Sequence, residues 1–286
     1  MKFDLRNRRV LVLGLGITGY SLVRYLLRRG AQVMVADTRT APPFADRLAM
    51  EFPQVEAYYG EFTKLLFVGI DGIAISPGIA KDHPLICAAV ADGVPLFGDV
   101  ELFAQALPKN QRVLAITGSN GKTTTTELTR VLCEAAGLSA IAAGNIGEPV
   151  LDVLECFEGG AFFPDVFVLE LSSYQLETTM SLSPSAAAIL NISENHLDRY
   201  PDMDVYTAAK ARIFDRAKAQ VLNIDDARVR AMAMADKTVH YFGTEETDLR
   251  PFWSLRNHEG ALWLQCNERT LMASDTLSLM GRHNAL

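Results

Sequence analysis

Twice in this chain a short, uninterrupted apolar run ends in a glycine-rich turn and passes straight into a helix-like segment, first over residues 10–19 and again over residues 112–123. A strand that is apolar at every position is buried on both faces, the condition of a strand inside a parallel sheet covered by helices. Two such openings predict an α/β chain of two units. Each is expected to be built on a parallel sheet with helices on its faces. With 286 residues there is enough chain for each unit to bury a core of its own.

In the first unit, strands are expected at residues 10–15, 32–36, 72–75 and 94–97, with a helix over 18–29 stopped by Gly30. Residues 108–111, Pro-Lys-Asn-Gln, look like a linker, while the helix before it, 100–107, fits either unit. Placing the boundary at Gly98 gives domains 1–98 and 99–286. The second unit continues with a helix over 122–136, strands at 139–142, 166–171, 186–191 and 221–224, and a hairpin turning at 257–260. The last six residues read as a helix cut off after one turn, so the chain is expected to be a fragment.

Electrostatics narrows the ligands. A formal charge of -7 gives no support for nucleic-acid or anionic-membrane binding, so neither is expected as a partner, and small anionic ligands stay in play. Cys87, Cys133, Cys156 and Cys266 are widely spaced without a Cys-x-x-Cys pair, which points to neither a zinc site nor a disulfide framework. No apolar run reaches the length of a membrane span, and a cytoplasmic location is expected.

The second glycine turn carries the chemistry. Gly118, Ser119, Asn120, Gly121, Lys122, Thr123 and Thr124 combine glycines that let backbone N–H groups face phosphate oxygens, a lysine charge, and a hydroxyl able to ligate Mg²⁺. Ile116 stands where the usual spacing has another glycine, so the loop is a shortened variant. An ordinary glycine turn capped by Thr123 explains fewer of these features than nucleoside triphosphate binding does.

Gly14, Gly16 and Gly19, with Ile17 and Thr18 between them, match a dinucleotide fingerprint, and Asp37 stands near the position of a ribose-binding carboxylate. An NAD-dependent oxidoreductase is therefore the rival reading. The motif itself specifies only a tight turn and a helix N-terminus facing a diphosphate, which a nucleotide-sugar diphosphate satisfies equally. Ser76, Pro77 and Gly78 end another strand at the same sheet edge, where a plain turn is the competing explanation. Glu170 ends a third strand, at a position from which a carboxylate meets the phosphate loop and holds Mg²⁺. His196 follows a fourth and is a candidate second metal ligand, although a lone histidine is more often a loop or packing residue. Lys210, in the helix-like stretch 205–214, reads on its own as a solvent-facing lysine.

Together, Gly14 to Gly19, Asp37-Thr38-Arg39, Ser76-Pro77-Gly78-Ile79, Gly98 to Phe103, Thr117 to Thr123, Gly144 to Gly147, Glu170 to Glu177, His196 to Tyr200 and Ala208-Ala209-Lys210 resemble the Mur ligases of peptidoglycan synthesis. Within that family, Asp-Thr-Arg, Ser-Pro-Gly-Ile and Glu-Leu-Ser-Ser-Tyr-Gln-Leu-Glu point to the D-glutamate-adding branch. The resemblance implies an α/β fold with an N-terminal Rossmann-like parallel-sheet domain followed by a P-loop ATPase-like α/β central domain, and a third domain beyond this chain. It further implies ATP and Mg²⁺ as cofactors, UDP-N-acetylmuramoyl-L-alanine and D-glutamate as substrates, and an acyl-phosphate intermediate. It implies that Ile17, Thr18, Asp37, Thr38, Arg39, Ser76, Pro77 and Gly78 bind the uridine diphosphate portion, that Asn145 meets the muramoyl-alanine end, and that His196 also binds substrate. Catalytic roles fall to Lys122, Glu170, His196 and Lys210. Thr123, Glu170, His196 and Lys210 are the implied metal set, with Lys210 carbamylated, and Asn284 is implied near the adenine. A monomer is expected, and the fragment alone is expected not to ligate. A non-catalytic nucleotide-binding protein is the remaining alternative.

Overall fold

The computed structural model describes residues 3–158, 160, 162–195, 199–244, 247–258 and 260–276. By its internal contacts the chain divides into two compact units, one of residues 1–109, 147–163 and 174–182, the other of residues 110–146, 164–173 and 183 onward.

The first unit is built on β1 (Arg9–Leu13), α1 (Ile17–Arg28), β2 (Gln32–Asp37), α2 (Ala45–Glu51), β3 (Glu56–Tyr59), β4 (Gly72–Ile75), α3 (Pro84–Ala91), β5 (Leu96–Phe97) and α4 (Asp99–Ala106). The five strands lie in the order β3-β2-β1-β4-β5, all parallel, so the strand order reverses direction at β1. The apolar run of β1 explains its central place, because Leu11 and Leu13 are buried in one core with Ile73, Ile75 and Ile86. Helix α1 turns Leu22, Val23 and Leu26 inward. Helix α3 opens with Pro84 behind His83, whose ring nitrogen accepts from the Leu85 N–H, satisfying a first-turn donor.

The chain continues through β6 (Arg112–Thr117), α5 (Lys122–Ala135), β7 (Ala140–Gly144), α6 (Val150–Glu158), β8 (Val166–Glu170), α7 (Ser173–Glu177), β9 (Ala186–Ile189), α8 (Met203–Ala211), β10 (Ala219–Asn223), α9 (Ala227–Arg230), β11 (Thr238–Gly243), β12 (Phe252–His258), β13 (Ala261–Cys266) and β14 (Arg269–Ala273). Helix α6 and most of α7 count with the first unit. Among the described residues the second sheet has the order β14-β13-β12-β11-β10-β9-β6-β8-β7. It is parallel from β7 to β12 and closes with the antiparallel strands β13 and β14. Helix α8 starts where Asp202 accepts from the N–H groups of Asp204 and Val205, a side-chain cap on otherwise orphaned donors.

Several expected bounds shift. The first strand stops at Leu13, and Asn257 and His258, expected in a turn, belong to β12, His258 pairing with Ala261. Strands β3, β11 and β14 add to the expected set. Residues 281–286 lie outside the described residues, as does the helix start expected there. Among the described residues no helix is long and apolar enough to cross a membrane.

Candidate functional site

In the first unit, the turn after β1, the end of β2 and the turn after β4 meet at one carboxyl edge, the ligand edge of an open parallel sheet. The Gly14 N–H donates to Ala36 O at 2.8 Å and the Ser76 N–H to Leu13 O at 2.9 Å, which ties the three strand ends together. Gly19 lets α1 approach the turn, since a Cβ there would stand 1.7 Å from the Gly14 carbonyl oxygen. Ile17 is exposed at the helix start, Thr18 half-buried, Thr38 and Gly78 exposed, Pro77 half-buried and Ser76 buried.

Asp37 is wholly buried, and its carboxylate is saturated. It accepts from the Leu15 N–H at 2.6 Å, the Arg39 N–H at 2.9 Å, and Arg39 Nε and Nη2 at 2.8 and 2.6 Å. Burial pushes its carboxyl up, but the guanidinium and the two backbone donors outweigh this and hold it below the usual carboxylate range. Asp37 thus fixes the glycine turn and Arg39 at once.

In the second unit, β6 delivers the loop of Gly118 to Thr124. Gly121 sits at φ +80° as the N-cap of α5, a conformation that glycine adopts without strain. The neighbouring strand β8 ends at Glu170, in register with Ile116 on one side and Gly144 on the other. Thr123 Oγ1 donates to Glu170 Oε2 at 2.7 Å, and Asn145 Nδ2 donates to Oε1 at 2.9 Å. A hydroxyl and a carboxylate oxygen side by side at the head of a phosphate loop are hard donors that suit Mg²⁺. Among the described residues no group of three His, Cys, Asp or Glu competes with this pair.

The loop is braced by a residue the sequence reading had not singled out. Asn191, just past β9, accepts from the Ser119 N–H through its carbonyl at 2.9 Å and from the Asn120 N–H through Oδ1 at 2.8 Å. Its Nδ2 donates back to Asn120 O at 3.1 Å. Two N–H groups expected to face phosphate are therefore already bonded. The first-turn N–H groups of Lys122, Thr123 and Thr124, which have no acceptor within α5, are the better placed for it.

Lys210 corrects the solvent-facing reading. It is 2% exposed, with Nζ donating to Gly118 O at 2.9 Å and Thr117 Oγ1 at 3.3 Å. Burial, joined by the charge of Lys122 and opposed by Glu170, lowers it from 10.5 to about 7. Lys122 Nζ folds over the same loop, donating to Gly118 O and Ser119 O at 3.0 Å each. The sequence did carry a signal for Lys210: it stands at helical spacing between buried Tyr206 and Ile213, inside the apolar stripe. His196 and Asn284 lie outside the described residues.

Family models match both parts of the chain. The Mur ligase middle domain matches residues 116–286, and the Mur ligase MurD-like N-terminal domain matches residues 8–98. The UDP-N-acetylmuramoylalanine–D-glutamate ligases of Methylobacillus flagellatus and Thiobacillus denitrificans are each 48% identical, aligned over 99% and 100% of this chain. The chain spans 61% and 63% of their lengths. The solved UDP-N-acetylmuramate:L-alanyl-gamma-D-glutamyl-meso-diaminopimelate ligase of Neisseria meningitides superposes with a TM-score of 0.60 at 18% identity, covering 97% of this chain and 90% of that one. At that identity the likeness is one of fold.

Proposed function

The chain belongs to the Mur ligase family, and from that premise we propose that it carries the UDP-substrate and ATP sites of an enzyme joining D-glutamate to UDP-N-acetylmuramoyl-L-alanine. Ligation belongs to a polypeptide of the relatives' full length, a cytoplasmic monomer; these 286 residues alone bind substrate without ligating. The observation that carries the proposal is the Thr123–Glu170 pair at the head of the phosphate loop, 2.7 Å apart.

In the proposed reaction the L-alanyl carboxylate attacks the γ-phosphorus of ATP, forming an acyl phosphate and releasing ADP. The D-glutamate amine then attacks the acyl carbon, and phosphate leaves. The first step brings two anions together, which is unfavourable without intervening positive charge. Lys122 and the first-turn N–H groups of α5 supply that charge in fixed positions, as preorganised stabilisation of the transferring phosphoryl group. Thr123 and Glu170 would hold Mg²⁺, which would supply further neutralisation of the phosphate oxygens.

Lys210, with its ammonium lowered to about 7, has the neutral amine that reaction with CO₂ requires. Addition of CO₂ to that neutral amine forms the N–C bond of a carbamate and releases one proton; its oxygens, with His196, would hold a second metal. In the first unit, Ile17, Thr18, Thr38, Arg39, Ser76, Pro77 and Gly78 serve the uridine diphosphate. Asp37 acts there through the turn and Arg39, and Asn145 serves the muramoyl-alanine end. The NAD reading loses its main support, because the acid a ribose would need is committed to Arg39 and Leu15.

The direct test is a product assay with the full-length polypeptide, ATP, Mg²⁺, UDP-N-acetylmuramoyl-L-alanine and D-glutamate. Stoichiometric ADP and the UDP-linked dipeptide product are expected. Nucleotide hydrolysis without that product, or its formation with another amino acid in preference, would refute the assignment.

A further inference from the structure

Tyr206 touches both parts of the phosphoryl site. It is 1% exposed and stands one turn before Lys210 on α8, where side chains four residues apart lie over one another. Its ring centroid is 4.8 Å from Lys210 Nζ. Its hydroxyl is 3.1 Å from Ser119 Oγ in the phosphate loop.

A serine hydroxyl has one proton to give and two lone pairs to fill. Ser119 Oγ also lies 3.1 Å from Ser193 O and accepts from the Ser193 N–H at 3.0 Å, so either hydroxyl can be the donor in its pair with Tyr206. Ser119 is only 5% exposed, and the Tyr206 hydroxyl is one of the polar groups that satisfy it there. Ser119 in turn joins the loop to the segment leading toward residue 196.

We propose that Tyr206 is a positioning residue for the phosphoryl-transfer site: its ring walls Lys210 Nζ against the Gly118 carbonyl, and its hydroxyl holds Ser119, so that lysine and phosphate loop move as one body. This rests on the reading of Lys210 as a carbamate-forming residue. The two halves of the side chain have separable duties. The ring keeps the amine confined where CO₂ adds to it, with the N–C bond formed and one proton released. The hydroxyl keeps the loop's N–H groups in place for phosphate.

The experiment compares this 286-residue chain with its Tyr206→Phe and Tyr206→Leu variants. Each is supplied with ¹³C-bicarbonate for NMR and titrated with an ATP analogue and, separately, with UDP. The wild type is expected to show a carbamate carbon resonance that Lys210→Met abolishes. Tyr206→Phe keeps the resonance but binds the ATP analogue about tenfold more weakly, the scale of one lost buried hydrogen bond. Tyr206→Leu loses most of the resonance. UDP affinity stays unchanged in both and serves as the check on folding; should Tyr206→Leu fail it, Tyr206→Met, closer in volume, replaces it. An undiminished resonance in the ring-deleted variant, or unaltered nucleotide affinity in Tyr206→Phe, overturns the proposal while leaving the carbamate reading intact. A wild-type chain with no resonance removes that reading, and this proposal with it.

Discussion

Lys122 and Lys210 donate to one carbonyl oxygen, that of Gly118, at 3.0 and 2.9 Å. Lys210 is the buried one of the two, and burial, joined by the charge of Lys122, lowers it to about 7. The phosphate loop thereby gains a nucleophilic amine beneath it while keeping a cation, Lys122, above.

This arrangement costs stability in a pH-dependent way. Between about pH 7 and 10.5 the unfolded chain holds a proton on Lys210 that the folded chain does not, so the folded state gains as pH rises through that window. Lys210→Met removes the term. At pH 7 the variant is expected to melt several degrees above the wild type, with the gap shrinking toward pH 9.5. A gap constant across those pH values would mean that Lys210 is not held neutral.

Asp99 shows the opposite sign. It is 1% exposed at the start of α4, and burial raises it from 3.8 to about 6, against the bond from Gln175 Nε2 at 3.3 Å. The folded chain binds the extra proton between those values, so this group's contribution falls as pH rises from about 4 to 6. Asp99→Asn keeps an acceptor for Gln175 without the charge. It is expected to stabilise the chain by on the order of 2 kcal/mol at pH 7.5 and by little at pH 4.5. Urea melts at the two pH values decide it, and equal shifts at both would contradict the assignment.

Much of this was legible from residues and some was not, for reasons that are physical. The uninterrupted apolar runs of β1 and β6 and the turns behind them announce a parallel sheet and its ligand edge, because nothing but burial on both faces explains them. Asp37 stood out as an acid at a strand end, but its partner did not. The Leu15 N–H reaches it only when β1 and β2 lie side by side. Asn191 and Asn120 are 71 residues apart, a distance across which no local pattern speaks. Charge alone sets Lys210 among solvent-facing lysines, and only the apolar stripe it interrupts, or the resemblance that makes it a metal-site residue, speaks for its burial. The edge strands β3 and β14 carry exposed side chains at most positions and so lack the alternation that betrays a half-buried strand.

Glu170 is expected to act through charge and not shape. Glu170→Gln keeps the shape and one of the two acceptor oxygens that Thr123 and Asn145 use, and removes the negative charge that a hard cation requires. The variant should fold as the wild type does and lose the Mg²⁺-dependent part of nucleotide affinity by at least about tenfold. Titration of an ATP analogue with and without Mg²⁺ reads this directly, and an unaltered Mg²⁺ effect would move the metal elsewhere.

Gly19 separates the two sites. A methyl group there would collide with the Gly14 carbonyl oxygen, a backbone atom that cannot swing aside. Gly19→Ala is expected to cost about 3 kcal/mol or more and to abolish binding of uridine nucleotides. Nucleotide binding at the loop of Gly118 to Thr124 should survive wherever the variant remains folded. Intact UDP affinity in Gly19→Ala would show that the first glycine turn is not the diphosphate seat.

The central claim, that the first unit binds a UDP-linked substrate and the second ATP, is tested most directly by calorimetric titration of this chain with UDP-N-acetylmuramoyl-L-alanine, repeated on Asp37→Ala, with NAD⁺ as the comparison ligand. The account predicts one-to-one binding of the UDP compound, lost in the Asp37 variant while the ATP analogue still binds, and no heat with NAD⁺. Saturable binding of NAD⁺, or equal loss of both nucleotides on replacing Asp37, would contradict it.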